Sequence, residues 1–204
     1  MDKVRIAVLV SGGGTNLQAL LDAQETGIIK SGKIVLVLSD NENAYALKRA
    51  ENKGVETAVV LKKNCADKAD FEMKISEKLR EYGVEMIILA GFMKILGENF
   101  VDEYKNRIIN VHPSLIPSFC GAGYYGLKVH EAALAYGVKV TGATVHYVNE
   151  VPDGGRIILQ KAVDVCEGDT PETLQRRVME QAEWIILPMA AETVAKRIIG
   201  ERTV

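Results

Sequence analysis

The sequence has few of the features that build disulfide-rich or nucleic-acid-binding proteins. Its 204 residues include only three cysteines, Cys65, Cys120 and Cys166, and none of them forms a C-x-x-C pair. This argues against a disulfide framework or a zinc knuckle and favours free thiols in a reducing cytoplasm. The formal net charge is −2, with lysine and arginine spread along the chain. A surface that binds nucleic acid or anionic lipid is therefore not expected.

Long apolar runs and linkers are also missing. The longest nearly apolar stretch, 86–96, contains Gly91 and Lys94 and is too short to span a bilayer. The opening Met-Asp-Lys-Val-Arg runs straight into a strand-like segment, which leaves no room for a secretory signal peptide. No repeat, low-complexity tract or Pro/Ser-rich linker divides the chain. These absences predict a single cytoplasmic domain, residues 1–204, that does not bind a membrane.

The chain does contain short apolar strands that alternate with amphipathic helices. Apolar residues such as Phe71, Ile75 and Leu79 recur at helical spacing between the strands. Five strands are predicted in this part of the chain, at 4–10, 33–38, 57–61, 85–90 and 107–111. The alternation predicts an α/β fold with a doubly wound, mostly parallel sheet.

The last third of the chain has a different pattern. A helix is predicted at 128–136, and two long strands, 140–148 and 156–165, are joined by a short turn. These strands are expected to add to the parallel sheet in antiparallel fashion. Thr170 as N-cap starts a final helix that runs close to Ile199, with a possible bend at Pro188.

A glycine-rich loop, 11–16 (Ser-Gly-Gly-Gly-Thr-Asn), lies between the first strand and the first helix. Its glycines and the helix N-terminus favour binding of a phosphate group. A dinucleotide site stays open as an alternative, because Gly12 and Gly14 fit the fingerprint and Asp40 ends the second strand. Leu17 stands where the third glycine belongs and is too bulky. A tight turn without any ligand is the other alternative.

Asn110 and His112 lie two residues apart at the end of the fifth strand, so their side chains point to one face. Pro113 holds His112 in extended backbone. Ligands bind at the carboxyl ends of strands in such sheets, and Asp153 lies in a later turn that can reach this edge. A carboxylate near the ring is expected to raise the pKa of His112 and supply an acid near neutral pH. A structural histidine is the alternative.

Four separated motifs resemble those of the folate-dependent formyltransferases. They are Ser-Gly-Gly-Gly-Thr-Asn at 11–16, Leu-Ala-Gly-Phe-Met-Lys-Ile-Leu at 89–96, Asn-Val-His-Pro-Ser-Leu-Ile-Pro at 110–117 and Asp-Gly-Gly-Arg-Ile-Ile-Leu-Gln at 153–160. The resemblance runs from about residue 4 to the last helix. It implies transfer of the formyl group of 10-formyltetrahydrofolate to the amine of glycinamide ribonucleotide, without a metal. It also implies a phosphate-binding half, about 1–100, and a folate and catalytic half, about 101–204.

The resemblance also implies roles for individual residues. Asn110, His112 and Asp153 would be catalytic, with the Asn110 amide also on the folate side. Lys68 would hold the folate tail. The remaining residues fall into two groups: Gly14, Thr15, Asn16 and Glu183 for the ribonucleotide, and Phe92, Met93, Lys94, Ile95 and Leu96 for the pterin. The partners are then these two small molecules, and the chain is a monomer or a homodimer.

Three further expectations concern residues around this site. His146 would support the catalytic residues or be structural, and His130, in a charged helix, is expected to be solvated. The loop 118–126 contains three glycines and is expected to be a mobile flap; it carries Cys120 where the family often has proline. The competing functions are a formyltetrahydrofolate deformylase, a methionyl-tRNA formyltransferase and a non-catalytic nucleotide-binding module. The second would need a further C-terminal domain and a basic surface.

Overall fold

Every strand expected from the sequence lies in one sheet in the computed structural model, which describes residues 2–202. The strands are β1 (Val4–Val10), β2 (Gly32–Ser39), β3 (Glu56–Val59), β4 (Met86–Leu89), β5 (Ile108–His112), β6 (Val140–Tyr147) and β7 (Ile157–Asp164). They are ordered β3-β2-β1-β4-β5-β6-β7. The first five are parallel, whereas β6 and β7 pair antiparallel. The predicted mostly parallel sheet with antiparallel C-terminal strands is confirmed.

The helices follow the predicted pattern with two differences. They are α1 (Thr15–Glu25), α2 (Tyr45–Asn52), α3 (Lys68–Glu81), α4 (Glu98–Glu103), α5 (Leu127–Tyr136), α6 (Pro171–Val178) and α7 (Trp184–Glu201). The short α4 has too few residues to show a period and was not expected. The single final helix is interrupted by a π-helical turn, Met179–Glu183, between α6 and α7. Such turns are frequent at functional sites.

The two faces of the sheet have separate apolar cores, because successive side chains of a strand point to opposite sides. Ile6 and Val8 of β1 pack on the side of α1, α2, α5, α6 and α7. Ala7 and Leu9 pack on the side of α3 and α4. All four of these residues are fully buried. A strand with both faces covered reads as a continuous apolar run, and this explains why β1 shows no alternation.

The strand order reverses between β1 and β4, which is where open α/β sheets bind ligands. The loops that leave these strands are tied together there. Ser11 N donates to Gly91 O at 3.2 Å, and Met93 N donates to Ser11 Oγ at 2.9 Å. The glycine-rich loop after β1 and the 91–96 segment after β4 therefore share one edge of the sheet.

Two expectations from the sequence concern membrane-spanning helices and disulfide bonds. Within residues 2–202, none of the helices combines the length and apolar composition needed to cross a bilayer. Cys65, Cys120 and Cys166 are all free thiols, as their spacing predicted.

Candidate active site

A cavity of about 750 Å³ opens at the carboxyl ends of the central strands. Its volume lies within the range of small-molecule sites, about 300–1,000 Å³. Most of the site residues expected from the sequence line it: Asn16, Phe92, Met93, Lys94, Ile95, Leu96, Asn110, His112, Asp153 and Glu183. The fold therefore brings residues from five separate parts of the chain to one place.

Gly14 and Thr15 lie next to this cavity rather than in its lining. Gly14 is the N-cap of α1 and has a φ of +73°. A Cβ at this position would lie 2.6 Å from Ala46 Cβ, so α2 leaves no room for a side chain. Thr15 Oγ1 lies 3.7 Å from Met179 Sδ, which links the loop to the π-helical turn. Within the loop, Gly14 therefore requires glycine, whereas a Cβ at Gly12 or Gly13 would meet no atom of the described residues within 4 Å.

Lys68 is the one predicted site residue that the fold places elsewhere. It begins α3, is absent from the cavity lining, and its Nζ lies 3.6 Å from Glu72 Oε1. Its side chain is half exposed. The position suits a contact with a part of a ligand that extends out of the cavity, not with a part held inside it.

One polar cluster contains the three residues expected to be catalytic and is named the catalytic cluster after that expectation: Asn110, His112 and Asp153, with His146. Asp153 Oδ2 lies 3.4 Å from His112 Nδ1, and its Oδ1 lies 3.5 Å from His146 Nε2. Asn110 Nδ2 lies 3.2 Å from His146 Nε2 and 3.5 Å from Asp153 Oδ1. Asn110 is directly opposite His146 in the β5–β6 pair. His146 therefore contacts Asn110 and Asp153, a position that fits the supporting role expected for it.

The turn after β6 fixes the position of Asp153. Asp153 itself has a φ of +57°, a region that aspartate tolerates better than most residues. A Cβ at Gly155 would lie 1.7 Å from the Tyr147 carbonyl oxygen, so only glycine allows the chain to pass. Gly121 N donates to Asp153 Oδ2 at 2.9 Å. The Asp-Gly-Gly motif is thus required by backbone geometry as well as by chemistry.

The expected rise in the pKa of His112 is wrong for this structure. Burial lowers the pKa of His112 below its ordinary value, although the Phe119 carbonyl and the Asp153 carboxylate act in the opposite direction. The ring is only 4% exposed, and a low-dielectric environment disfavours its charged form. The sequence could show that Asp153 reaches His112, but not how little water would surround the ring.

The ring nitrogens of both cluster histidines face hydrogen-bonding partners. His112 Nε2 donates to Phe119 O at 2.8 Å, since a carbonyl only accepts. His146 Nδ1 likewise donates to Tyr147 O at 2.8 Å. His146 Nε2 then accepts from the Asn110 amide, which fixes the orientation of that amide.

The loop 118–126, expected to be a flap, contacts the catalytic cluster directly. Phe119 supplies the carbonyl at His112 Nε2, and Gly121 supplies the N–H at Asp153. Gly121, Gly123, Tyr124 and Tyr125 also line the cavity. His112 can offer Nε2 to a ligand only after its contact with Phe119 opens.

Glu183 lies at the opposite end of the cavity lining, where the π-helical turn ends. It is 6% exposed, and Asn16 Nδ2 donates to its Oε2 at 2.6 Å. Burial raises the pKa of Glu183 to about 7, while the bond from Asn16 acts to lower it. Gln175 and Met179 line the same wall and were missed. Their spacing of four from one another and from Glu183 is the signal that could have found them.

His130 is buried, which contradicts the expectation that it is solvated. It lies on α5, is 1% exposed and lines the cavity. Burial lowers its pKa to about 4, with a smaller contribution from nearby His112. The charged residues of this helix predicted exposure, but the face that carries His130 and Ala133 is turned to the core. Within the described part of the chain, no group of three or more His, Cys, Asp or Glu could hold a metal ion.

Comparison with known proteins shows the family to which the chain belongs. Residues 4–190 match the formyl transferase family. The chain is similar to the trifunctional purine biosynthetic protein adenosine-3 of Gallus gallus, at 44% identity over 95% of this chain and 19% of that protein. The chain therefore spans about a fifth of the length of this protein and of the proteins of the same name in Bos taurus and Homo sapiens, which it also matches.

Shorter relatives are matched over most of their length. A phosphoribosylglycinamide formyltransferase of Haemophilus influenzae is 40% identical over 91% of this chain and 84% of that protein. Among solved structures, glycinamide ribonucleotide transformylase 1 of Symbiobacterium toebii has a TM-score of 0.89 and 42% identity. That match covers 95% of this chain and 88% of the other. This chain belongs to the formyl transferase family.

Proposed function

We propose that this protein transfers the formyl group of 10-formyltetrahydrofolate to the amine of glycinamide ribonucleotide, yielding formylglycinamide ribonucleotide and tetrahydrofolate in purine biosynthesis. The observation that carries the proposal is the Asn110–His112–Asp153 cluster in one cavity with Asn16, which ends the glycine-rich loop at the start of α1. Relatives that share the fold carry names for this activity. A deformylase would need the cluster but not the phosphate loop.

The ribonucleotide is placed at the α1 side of the cavity. The start of α1 offers backbone N–H groups and a favourable dipole to the phosphate, with Gly14, Thr15 and Asn16 around it. Glu183 and Asn16 are bonded to each other and border the same space. A buried carboxyl group there suits the hydroxyl and amine groups of the substrate, which can donate hydrogen bonds to it.

The folate is placed along the 92–96 segment. Phe92 and Leu96 pack with the core on the α3 side, while Met93 and Ile95 expose 52% and 64% of their surface. This combination of apolar side chains and free backbone groups suits a flat heterocycle such as the pterin. Lys94 pairs with Asp40 at 3.1 Å and so is held by the protein itself. Lys68, outside the cavity, fits the anionic tail.

The residues of the cluster can then perform the transfer. Attack of an amine on a formamide places negative charge on the formyl oxygen, and the Asn110 amide can donate a hydrogen bond to it. A neutral His112 takes a proton from the attacking nitrogen and delivers it to the departing folate nitrogen. The lowered pKa of His112 suits this order of events, in which the ring is charged only between the two steps. Asp153 stabilises the charged ring.

The test is a folate absorbance assay with and without glycinamide ribonucleotide. We expect the absorbance change to require the ribonucleotide and formylglycinamide ribonucleotide to accumulate in equal amount with tetrahydrofolate. Rapid deformylation in water alone would establish the hydrolase instead. We also propose a cytoplasmic location, since the three cysteines are free thiols of the kind found in a reducing compartment.

A further inference from the structure

Two residues that line the cavity have buried polar atoms without hydrogen-bond partners. Six buried side-chain atoms of the described residues have no hydrogen-bond partner, and three of them belong to cavity-lining residues. These three are Asn16 Oδ1 and both ring nitrogens of His130. A buried polar atom without a partner costs about 1–3 kcal/mol. Such atoms at the wall of an open cavity indicate a place where a ligand supplies the missing bonds.

The position of His130 in the fold indicates whether that ligand is the ribonucleotide or the folate. Ala133, three residues further along the same helix face, packs in the core on the side of α1 and α6. Leu96 and Phe92, assigned above to the pterin, pack with the core on the other side of the sheet. α5 also packs directly against α6, whose Gln175 lines the cavity. His130 therefore belongs to the ribonucleotide side.

The chemistry of the His130 ring distinguishes between a phosphate group and a hydroxyl group as its partner. With a pKa of about 4, His130 is neutral near pH 7 and has one N–H donor and one acceptor nitrogen. A phosphate dianion only accepts hydrogen bonds, whereas a sugar hydroxyl both donates and accepts. The free oxygen of Asn16 likewise requires a donor. A hydroxyl group fits both residues.

We propose that His130 contacts the substrate and hydrogen-bonds to the ribose hydroxyls of the phosphorylated amine. This inference rests on the proposed function for the identity of the substrate. It gives a role to a residue that is not part of the catalytic cluster. It also explains why a buried imidazole is kept without partners in the free protein.

The kinetic test compares two substitutions of His130. His130→Phe keeps a planar ring and removes both nitrogens, and His130→Gln keeps a donor and an acceptor. We expect His130→Phe to raise KM for glycinamide ribonucleotide about 3- to 10-fold, the effect of one lost hydrogen bond, with kcat and the folate KM unchanged. His130→Gln should recover part of the loss. Tyr136→Phe, on the same helix and 81% exposed, is the control. An unchanged ribonucleotide KM, or an equal rise in both KM values, overturns the inference.

Thermal stability separates a substrate contact from a structural role. Because the ring nitrogens have no partners, His130→Phe should melt at the same or a higher temperature than the unsubstituted protein. Ribose 5-phosphate should then stabilise the unsubstituted protein more than the variant. A lower melting temperature for His130→Phe overturns the inference, since it would show that the imidazole is already hydrogen-bonded in the free protein.

An NMR titration of the His130 ring nitrogens is independent of turnover. We expect ribose 5-phosphate to shift them and inorganic phosphate to leave them unchanged. An equal response to both ligands would overturn the assignment to hydroxyl groups. Failure of the proposed function appears separately, as an unsubstituted enzyme whose folate absorbance change does not require the ribonucleotide.

Discussion

The two walls of the cavity differ in how completely their polar groups are paired. At the wall proposed to be catalytic, Asn110, His112, His146 and Asp153 contact one another or the backbone, and none has a buried side-chain nitrogen or oxygen without a partner. At the wall proposed to bind the ribonucleotide, Asn16 and His130 carry three unpaired atoms. Glu183 on the same wall is a buried acid whose pKa burial raises to about 7.

Paired and unpaired polar groups suit two different tasks of an active site, catalysis and substrate binding. A hydrogen-bond network without unpaired groups holds Asn110, His146 and Asp153 in one geometry before the substrate arrives, which lowers the cost of reaching the transition state. His112 becomes available to the substrate when its contact with Phe119 opens. An unsaturated wall reduces the stability of the free protein, but its polar groups gain partners when the ligand binds. Substitutions on the first wall should therefore change the reaction rate, and those on the second should change stability and substrate affinity.

The largest effect is expected at the centre of the catalytic wall. His112→Ala removes the group that moves the proton, and we expect kcat to fall by about 10²- to 10⁴-fold. Both KM values should change little, because the cavity walls that hold the substrates stay in place. Steady-state kinetics with both substrates saturating measure kcat. Tyr136→Phe, prepared in the same way as His112→Ala, is the control variant. A loss below tenfold would show that His112 is not the proton carrier.

The second prediction concerns the acid on the ribonucleotide wall. Since burial raises the pKa of Glu183 from 4.5 to about 7, the folded protein holds this proton more tightly than the unfolded chain. Its stabilising contribution is present below pH 4.5 and is lost as the pH rises through about 7. We expect Glu183→Gln to remove this dependence and to raise the free energy of unfolding at pH 8 by about 3 kcal/mol. Denaturant unfolding from pH 4 to pH 8 measures it.

Glu192 is a control for that measurement, because its pKa is shifted in the opposite direction. It is also buried, at 9% exposed, and burial alone would raise its pKa. Hydrogen bonds from Ser31, Lys30 and Lys196 outweigh burial and lower the pKa. Glu192→Gln should therefore destabilise the protein at pH 8. A stability gain in both variants would mean that the gain at Glu183 does not come from its titration.

The smallest effect is expected from the charge that supports His112. Asp153→Asn keeps the shape and removes the negative charge that limits the fall in the pKa of His112. The pKa should drop further, and kcat at pH 7 should fall on the order of tenfold, because the charged ring formed between the two proton transfers loses its carboxylate partner. NMR titration of the His112 ring measures the pKa. Asp169→Asn, which removes a carboxylate paired with Arg177, is the matched control. A His112 pKa that stays or rises in Asp153→Asn excludes the proposed support.

The chain itself determined the fold and most of the cavity. Apolar runs with both faces covered specify β1 to β5, and the turn glycines are set by local geometry, as at Gly14 and Gly155. Strand-end positions were enough to place Asn110 and His112 at the edge of the sheet where ligands bind. Because β6 runs antiparallel to β5, Asp153 reaches them only through the turn after β6, which folds back over that edge. Periodicity and turn chemistry are local properties, and local properties can be read along a sequence.

Only the tertiary structure decided how much water each polar group keeps. Burial depends on packing between helices and strands far apart in the chain, so the pKa of His112 falls where the sequence predicted a rise. For the same reason His130 lies inside rather than in solvent, and Lys68 lies outside the cavity. Solvent exposure and charge state arise from many distant neighbours at once, and no short pattern of residues contains them.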